Sequence, residues 1–405
     1  MILSVSFLFF FLSYYSKSNL YLSPIDPLKI LAIKDAIVVY TILTLYYSHT
    51  IGSDILFIAF CYLSIGFVLT FIVSTIYGDK YKGIVKNICL YFCQTQNSKK
   101  SLLFIIFVLG IGLHACIIFY SGNSGESRLN SSVMLRFFEL VWLPTISFYI
   151  LDIICKTTKK NIHKKLLLLL FVIFCLLTVS GKGAFLTIVL SLSLAHAIGV
   201  IKINIFVTII IILTSIILIF LSLRFSYGIK DFNLFWDLLR IRILMDADIY
   251  IIAFQQNLIS TLELNGLFSY IFGPVVKLLG WGHLVAENIG AQVGSASAGF
   301  AVKTGPQAQI PFLIYLAGYK GLIMIPLISL ILNIYALILK FGLMFFAGRF
   351  LGSSLIVFPL VQFSLVGLAG FTSDPAGHSL YLIEAVVFCL LLVSLFTIIR
   401  KNRTT

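Results

Sequence analysis

Long apolar runs separated by short polar stretches make up most of this 405-residue chain. A helix needs roughly 20 predominantly apolar residues to cross a hydrocarbon core of about 30 Å. Many of the runs reach or approach that length, so the pattern predicts an all-α polytopic membrane protein with about 11 transmembrane helices. The predicted spans are residues 1–15, 35–47, 55–77, 101–120, 134–154, 166–179, 184–200, 205–223, 310–339, 355–371 and 380–399.

One stretch interrupts this pattern, residues 224–309, which we call the polar segment. At roughly 85 residues it is far longer than an ordinary connection between helices. Its many aromatic and aliphatic residues argue against disorder, because their burial offsets the entropy lost on ordering. A helix is predicted over 232–259 and a flexible, glycine-rich coil over 290–305. We therefore expect a large folded loop with helical segments, and we expect it to carry the chemistry.

The polar segment divides the chain into three predicted domains. Residues 1–223 form an N-terminal bundle of about eight helices, and residues 310–405 contribute about three more by the same length criterion. Two glycine-containing interruptions fall inside these bundles. Residues 180–183, Ser-Gly-Lys-Gly, predict a tight turn between two spans. Residues 318–321, Gly-Tyr-Lys-Gly, predict a re-entrant or broken helix, since a lysine at membrane depth is costly unless it faces protein or water.

Composition excludes a soluble globular protein, because 60% of the residues are hydrophobic, only 11% are charged and the mean hydropathy is +1.08. The net charge of +14 arises in short linkers, whereas basic and acidic residues are balanced in the polar segment. Lysine-rich stretches at 79–100 and 156–165 are expected in the cytoplasm, with Lys340 and Arg349 marking a later cytoplasmic turn and 400–403 a cytoplasmic tail. Alternation then puts residues 180–183 and the polar segment on the external, periplasmic face. No basic stripe with interleaved aromatics is present, which argues against nucleic acid.

Metal and nucleotide chemistry find no support in the sequence. The seven cysteines all lie in or beside apolar spans, so the polar segment has no disulfide of its own. Cys89 and Cys93 are four residues apart, but no second pair or histidine cluster accompanies them, and a zinc site is not expected. Residues 180–183 lack the spacing and the preceding strand of a phosphate-binding P-loop. We therefore predict no metal and no cofactor.

Arginines are the candidate chemistry of the polar segment. Arg240 follows Asp237 by three residues and Arg242 precedes Asp246 by four, so each can pair with a carboxylate on its own helix. A solvated face with local ion pairs is one account of this spacing. The other is a diphosphate site, because the planar guanidinium fork binds phosphate oxygens bidentately and keeps its charge at every pH. Further basic candidates for binding substrate are Arg128, Arg136, Arg224, Lys182, Lys303 and Lys320.

The general base is left open by the sequence. Carboxylates at Asp246 and Asp248 and imidazoles at His283 and His378 are candidates, because histidine titrates near neutral pH. Either histidine could equally be a packed turn residue. For Arg136, a structural pair with Glu139 competes with a role in binding.

Several short motifs resemble those of a known protein family. Ser-Gly-Lys-Gly-Ala-Phe at 180–185, Gly-Pro at 305–306 and Tyr-x-x-Gly-Tyr-x-Gly at 315–321 stand around one large loop in a chain of many apolar spans. In this arrangement the chain resembles bacterial O-antigen polymerases of the Wzy type, within the O-antigen ligase and polymerase-like membrane glycosyltransferases, and a GT-C-like fold is implied. The family usually has arginine in the first motif, where this chain has Lys182.

The resemblance implies an inner-membrane, multi-pass glycosyltransferase with a cytoplasmic C-terminus. It would join oligosaccharide repeat units carried on undecaprenyl diphosphate at the periplasmic face, without metal or nucleotide, beside a chain-length regulator and a flippase. Arg240, Arg242, Asp246, Asp248 and His378 are then the catalytic candidates. Two alternatives remain. An O-antigen ligase would transfer glycan to lipid A-core, but ligases typically place a histidine where residues 307–310 read Gln-Ala-Gln-Ile. A lipid-linked oligosaccharide flippase or polysaccharide transporter would have shorter external loops.

Overall fold

The computed structural model is α-helical, and the described residues contain no β-strand. It describes residues 2–94, 104–105, 107–112, 145–156, 162–204, 206–210, 213, 217, 231, 233, 247–281, 283, 287–300, 306–349, 357, 360–365, 375 and 379. The helices are α1 (Ile2–Lys17), α2 (Pro27–Tyr47), α3 (Ser53–Gln94), α4 (Thr145–Cys155), α5 (Ile162–Ala197), α6 (Asp248–Gln255), α7 (Leu267–Ile271), α8 (Gly273–Leu278), α9 (Ile289–Ala298), α10 (Ile310–Leu316) and α11 (Met324–Arg349). Short 3-10 turns follow α1 at Ser18–Leu20 and α6 at Leu258–Thr261.

Two helices of the described part, α3 and α11, are long and apolar enough to cross a membrane. α3 contains 42 residues and is therefore about 63 Å long, roughly twice the thickness of a hydrocarbon core. Its second half carries Lys80, Lys82 and Lys86. The lysine-rich stretch predicted as a connection from residue 79 is thus helical as far as Gln94, because the α3 hydrogen-bond ladder continues through it.

Helices α3 and α11 pack side by side and run in the same direction. Asn333 near the start of α11 lies against Gly66, and Gly348 near its end lies against Ile84. The Asn333 Nδ2 atom donates to the Tyr62 carbonyl at 3.1 Å, which ties the two helices where Gly66 lets them approach. A methyl group at Gly66 would overlap the Asn333 amide. The two helices therefore begin at one end of the molecule, and both finish at the other.

Helices α1 and α2 complete the bundle around α3. The Tyr15 and Phe71 rings stack with centroids 5.9 Å apart, and the Ser74 hydroxyl donates to the Ser16 carbonyl at 2.8 Å. α2 starts with a well-defined cap, since the Asp26 side chain accepts a hydrogen bond from the Leu28 amide and Pro27 occupies the first turn. The turn between α1 and α2 thus lies beside the second half of α3.

The interruption predicted at 318–321 is confirmed. α10 ends at Leu316, α11 begins at Met324, and Gly318 and Gly321 adopt φ values of 71° and 99°. These left-handed conformations are readily accessible only to glycine and end the helix. Lys320 between them is exposed.

Four other expectations are corrected. Residues 180–183 lie inside the continuous helix α5, so the predicted tight turn is absent: the backbone hydrogen bonds of a long helix override the local turn preference of Ser-Gly-Lys-Gly. The coil predicted from residue 290 is helical through Ala298, and Asn288 caps this helix. The helix predicted to reach residue 259 ends at Gln255, where Asn257 has a left-handed φ of 54°. Lys340 is buried within α11 rather than at a turn.

Helix α4 packs on the last turns of α3. The Phe92 and Phe148 rings meet edge to face at 5.5 Å, and the Cys93 and Cys155 Sγ atoms, both thiols, lie 3.0 Å apart. On its other side α4 contacts α5, where the Ser191 hydroxyl donates to the Ser147 carbonyl at 2.9 Å. α3, α4 and α5 are therefore in contact at the lysine-bearing half of α3.

The two thiols make this packing testable. Because a disulfide has an S–S length of about 2 Å, Cys93 and Cys155 need only a small side-chain movement to bond. We expect added diamide to oxidise them to an intramolecular disulfide, reducing the diamide as both thiol protons are lost. Intact-protein mass spectrometry should find two hydrogens fewer, and a peptide map should link the two cysteines. Cys93→Ser must abolish the link, whereas the control Cys61→Ser must retain it. Absence of the link in the wild type would contradict the position of α4.

Candidate functional site

Charged side chains buried between α1, α2, α3 and α11 form the most unusual feature of the described structure. The Lys17 Nζ atom lies 3.0 Å from Asp35 Oδ2, and both side chains are largely shielded, with exposed fractions of 7% and 15%. The Ser13 hydroxyl donates to the same carboxylate oxygen at 3.3 Å. Buried charges persist only when they are paired and hydrogen-bonded, because desolvating a lone ion costs several kcal/mol. This pair links the end of α1 to the middle of α2.

Asp26, in the turn before α2, is a second buried carboxylate. Its Oδ1 atom accepts from the Leu28 amide at 2.9 Å and its Oδ2 atom accepts from the Leu22 amide at 2.8 Å. Burial raises the pKa of the Asp26 carboxyl above its ordinary value, while the two amides and the nearby Lys340 and Lys29 partly offset that rise. The carboxylate therefore holds the turn in shape and attracts two lysines.

Lys340 on α11 is only 1% exposed. Its Nζ atom donates to the Tyr81 hydroxyl at 3.2 Å and to the Ser364 carbonyl at 3.1 Å, and it lies 4.9 Å from the centre of the Tyr81 ring. The Ser364 hydroxyl in turn donates to the Lys340 carbonyl at 2.6 Å. These contacts join α11, α3 and the helical residues 360–365 through one side chain, and the Asp26 carboxylate of the α1–α2 turn attracts the same lysine electrostatically. We call Asp26, Lys340, Tyr81 and Ser364 the Lys340 cluster.

The described part of the polar segment is folded into short helices. They pack beside α10, at the end of the bundle where α3 begins. The Tyr250 hydroxyl on α6 donates to Gln309 Oε1 at 3.4 Å, and the Tyr250 ring meets Phe312 edge to face at 5.5 Å. The Gln292 amide of α9 bonds the backbone of Glu263 at 2.9 and 3.0 Å, which joins two parts of the segment. Helical segments predicted within this region are thus present.

The structure describes only some of the predicted site residues. Asp248 is the first residue of α6, and Lys320 lies in the exposed turn between α10 and α11. Lys182 belongs to helix α5. His283, a candidate base, is exposed. The remaining candidates lie outside the described residues, and their grouping stays a prediction: Arg128, Arg136, Arg224, Arg240, Arg242, Asp246, Lys303 and His378.

The Lys340 cluster was missed by the sequence analysis, although two signals were present. Asp26-Pro27 before an apolar run is the signature of a helix N-terminus. Lys340 stands inside an apolar run of about 26 residues, and an ionisable residue at such a position is by default a functional candidate. The partners of Lys340 carry no such signal, because Tyr81 is 259 positions away in the chain.

Comparison of the chain with models of protein families, with curated proteins and with solved structures finds no match. Within the described residues no three His, Cys, Asp or Glu side chains are grouped so that they could hold a metal ion. What the geometry itself offers is a set of cations, hydroxyls and carboxylates in a helical bundle, suited to binding anions and to moving protons.

Lys340→Met tests the cluster. The substitution removes two hydrogen bonds from a charged group, to the Tyr81 hydroxyl and to the Ser364 carbonyl, which together contribute about 3–6 kcal/mol. We expect the unfolding free energy of the detergent-solubilised protein to fall by that amount. Adding Tyr81→Phe should recover none of this loss, because the Tyr81 hydroxyl also lies 3.3 Å from the Ser364 hydroxyl and keeps that partner without Lys340.

The control is Lys320→Met, which removes a lysine from an exposed turn and should change stability by less than about 0.5 kcal/mol. Equal effects of the two lysine substitutions would show that the hydrogen bonds of Lys340 do not stabilise its buried charge.

Proposed function

We propose that the chain is an O-antigen polymerase of the bacterial inner membrane. It joins undecaprenyl-diphosphate-linked repeat units by transferring the growing glycan from one lipid carrier to the sugar of another. The proposal draws on the motif resemblance, on the apolar composition and on the folded segment between α5 and α11. The observation that carries it is the position of that segment relative to the lysines of α3.

The described part of the polar segment packs at the opposite end of α3 from Lys82 and Lys86. Gln309 and α10 stand directly before the break that precedes α11, and α11 begins beside the start of α3. About 20 residues, or roughly 30 Å of helix, separate Gly66 from Lys86. Under the positive-inside rule the lysine-bearing end faces the cytoplasm, so we assign the polar segment to the periplasmic side. This assignment depends on the lysines of α3 alone. It does not use the number of spans before the polar segment, because the turn predicted at 180–183 is absent.

The chemistry needs no external energy source, because the diphosphate on the donor lipid is itself the leaving group. The enzyme must hold two lipid diphosphates, offset the charge that develops on the departing one and remove a proton from the accepting sugar hydroxyl. We assign the first two tasks to Arg224, Arg240 and Arg242. The base stays unassigned among Asp246, Asp248, His283 and His378. A flippase and a chain-length regulator of the same pathway are the proposed partners.

A lipid-linked oligosaccharide transporter is the second candidate, and one observation favours it. The Lys17–Asp35 pair and the Lys340 cluster put cations inside the helix bundle, where transporters hold charged substrates or relay protons. The folded polar segment has no evident task in such a protein, and we therefore place this candidate second.

Deletion of the gene separates these functions by the glycans that accumulate. Loss of a polymerase leaves lipopolysaccharide capped with one repeat unit, and a plasmid copy restores the ladder of longer chains. Loss of a ligase leaves lipid A-core without repeats and long glycans on undecaprenyl diphosphate. Loss of a transporter leaves single units on their carrier at the cytoplasmic face. Either of the last two profiles would overturn the proposal.

At the residue level, Arg240→Ala should lower polymer formation by about 100-fold, the size of effect seen when a donor to developing negative charge is removed. Arg240→Lys should restore little, because an ammonium group lacks the bidentate fork. The matched control is Arg349→Ala at the exposed end of α11, which should keep wild-type chain lengths. Membrane levels of each variant are measured by immunoblot. Wild-type ladders from Arg240→Ala would remove this arginine from the site.

A further inference from the structure

A cavity of about 560 Å³ lies between the end of α1, the α1–α2 turn, the second half of α3 and the end of α5. Its volume falls in the range of small-ligand sites. Lys29, Lys82, Lys86 and His196 line it, and no carboxylate is among its lining residues. Four groups that carry or can acquire positive charge thus face one space, from three different helices.

Two of these side chains are held in place. The Lys29 Nζ atom lies 5.1 Å and 5.2 Å from the centres of the Tyr14 and Tyr21 rings, both of which line the cavity. The His196 Nδ1 atom lies 3.1 Å from the Ile203 amide and 3.2 Å from the Ile201 carbonyl. The turn after α5 therefore fixes one edge of the imidazole, and Nε2 is the ring nitrogen left for a ligand.

Tyr21 forms part of the apolar wall of the cavity. The residue is only 9% exposed, and its hydroxyl is shielded from solvent without a hydrogen-bond partner among the described residues. Tyr21 therefore contributes to the site through its ring, which holds the Lys29 ammonium group.

The surroundings identify the class of anion. Phe7, Leu8 and Phe11 on α1 are 69%, 52% and 55% exposed, which leaves an apolar helix face leading toward the cavity at the end of α1. Lysines at the membrane interface attract phosphate groups of acidic lipids, while acyl chains lie along apolar helix faces. Both halves of an acidic phospholipid find complementary surfaces here.

We propose that this cavity binds a phosphate-bearing anion, either the headgroup of an acidic phospholipid or a free diphosphate. Lys29, Lys82 and Lys86 neutralise the phosphate, His196 Nε2 donates to one of its oxygens, and α1 carries the acyl chains in the lipid case. The site lies at the lysine-bearing end of α3, away from the polar segment, and the inference does not depend on the proposed transferase.

Binding can be measured with the purified full-length protein in neutral detergent. The probes are fluorescently labelled phosphatidylglycerol and phosphatidylcholine, followed by anisotropy, with inorganic diphosphate as competitor and, by calorimetry, as direct ligand. We expect phosphatidylglycerol or diphosphate to bind and phosphatidylcholine not to bind. Labelled phosphatidylglycerol that stays bound in excess diphosphate identifies a lipid site. Direct binding of diphosphate that displaces the label identifies a free-anion site.

Variants separate the site from surface charge in general. At about 1 kcal/mol for each lysine, Lys82→Gln should raise the Kd roughly fivefold, and the triple change of Lys29, Lys82 and Lys86 to Gln roughly 100-fold. Lys80→Gln is the matched control, since Lys80 lies on the same helix but does not line the cavity, and its Kd should match the wild type.

Lys82→Arg guards against misfolding as an explanation. It keeps the positive charge, so its Kd should stay near that of the wild type, while Lys82→Gln raises the Kd and both variants keep the wild-type melting temperature without ligand. An unchanged Kd in the triple variant, or equal affinity of the wild type for phosphatidylcholine, would overturn the proposal.

Discussion

Charge compensation inside a low-dielectric helix bundle is the constraint on which this structure depends. An ammonium group at the depth of Lys340 is stable only if donors and acceptors from several elements converge on it. Tyr81 and the Ser364 carbonyl accept its hydrogen bonds, and Asp26 attracts it electrostatically; the three groups come from separate regions of the chain. Apolar packing alone would let α3 and α11 slide along each other, because methyl groups fit many registers. The Lys340 cluster fixes one register, and the Asn333 amide against Gly66 fixes the same one nearer the start of both helices.

The parallel alignment of α3 and α11 gives the molecule two chemically different ends. At one end lie the break between α10 and α11 and the short helices of the polar segment, joined by the Tyr250–Gln309 bond. At the other end α3 continues as a helix beyond the length that a hydrocarbon core requires and carries Lys82 and Lys86. A helix that projects from the membrane exposes lysines at the headgroup level, where their long stems can pack on apolar surface while the ammonium groups meet phosphate. The chemical difference between the two ends therefore follows from the shared direction of α3 and α11, and not from the number of spans.

Apolar runs and local backbone signals were sufficient to predict the helical class of the described residues, helices over most of α1, α2 and α3, and the break at Gly318 and Gly321. These features depend on neighbouring residues only. The turn expected at 180–183 is absent because turn propensity is weak against the continuous hydrogen bonding of α5. Lys340 was assigned to a helix end because an isolated lysine usually marks one, and the groups that compensate its charge are too distant in sequence to be recognised. The arginines of the predicted site could be proposed only from their residue type and spacing, and the geometry that would bring them together is not encoded locally.

Asp26 connects the buried ions with the surface cavity through simple electrostatics. Its carboxylate is attracted by Lys340 from within the bundle and by Lys29, whose ammonium group also lies over the two tyrosine rings of the cavity. The two backbone amides that bond Asp26 fix the local shape of the α1–α2 turn, and the Ser74 hydroxyl bonds the Ser16 carbonyl just before that turn. Ordering that is complete before a ligand arrives lowers the cost of binding it. The buried carboxylate thus shapes the turn that forms one wall of the cavity.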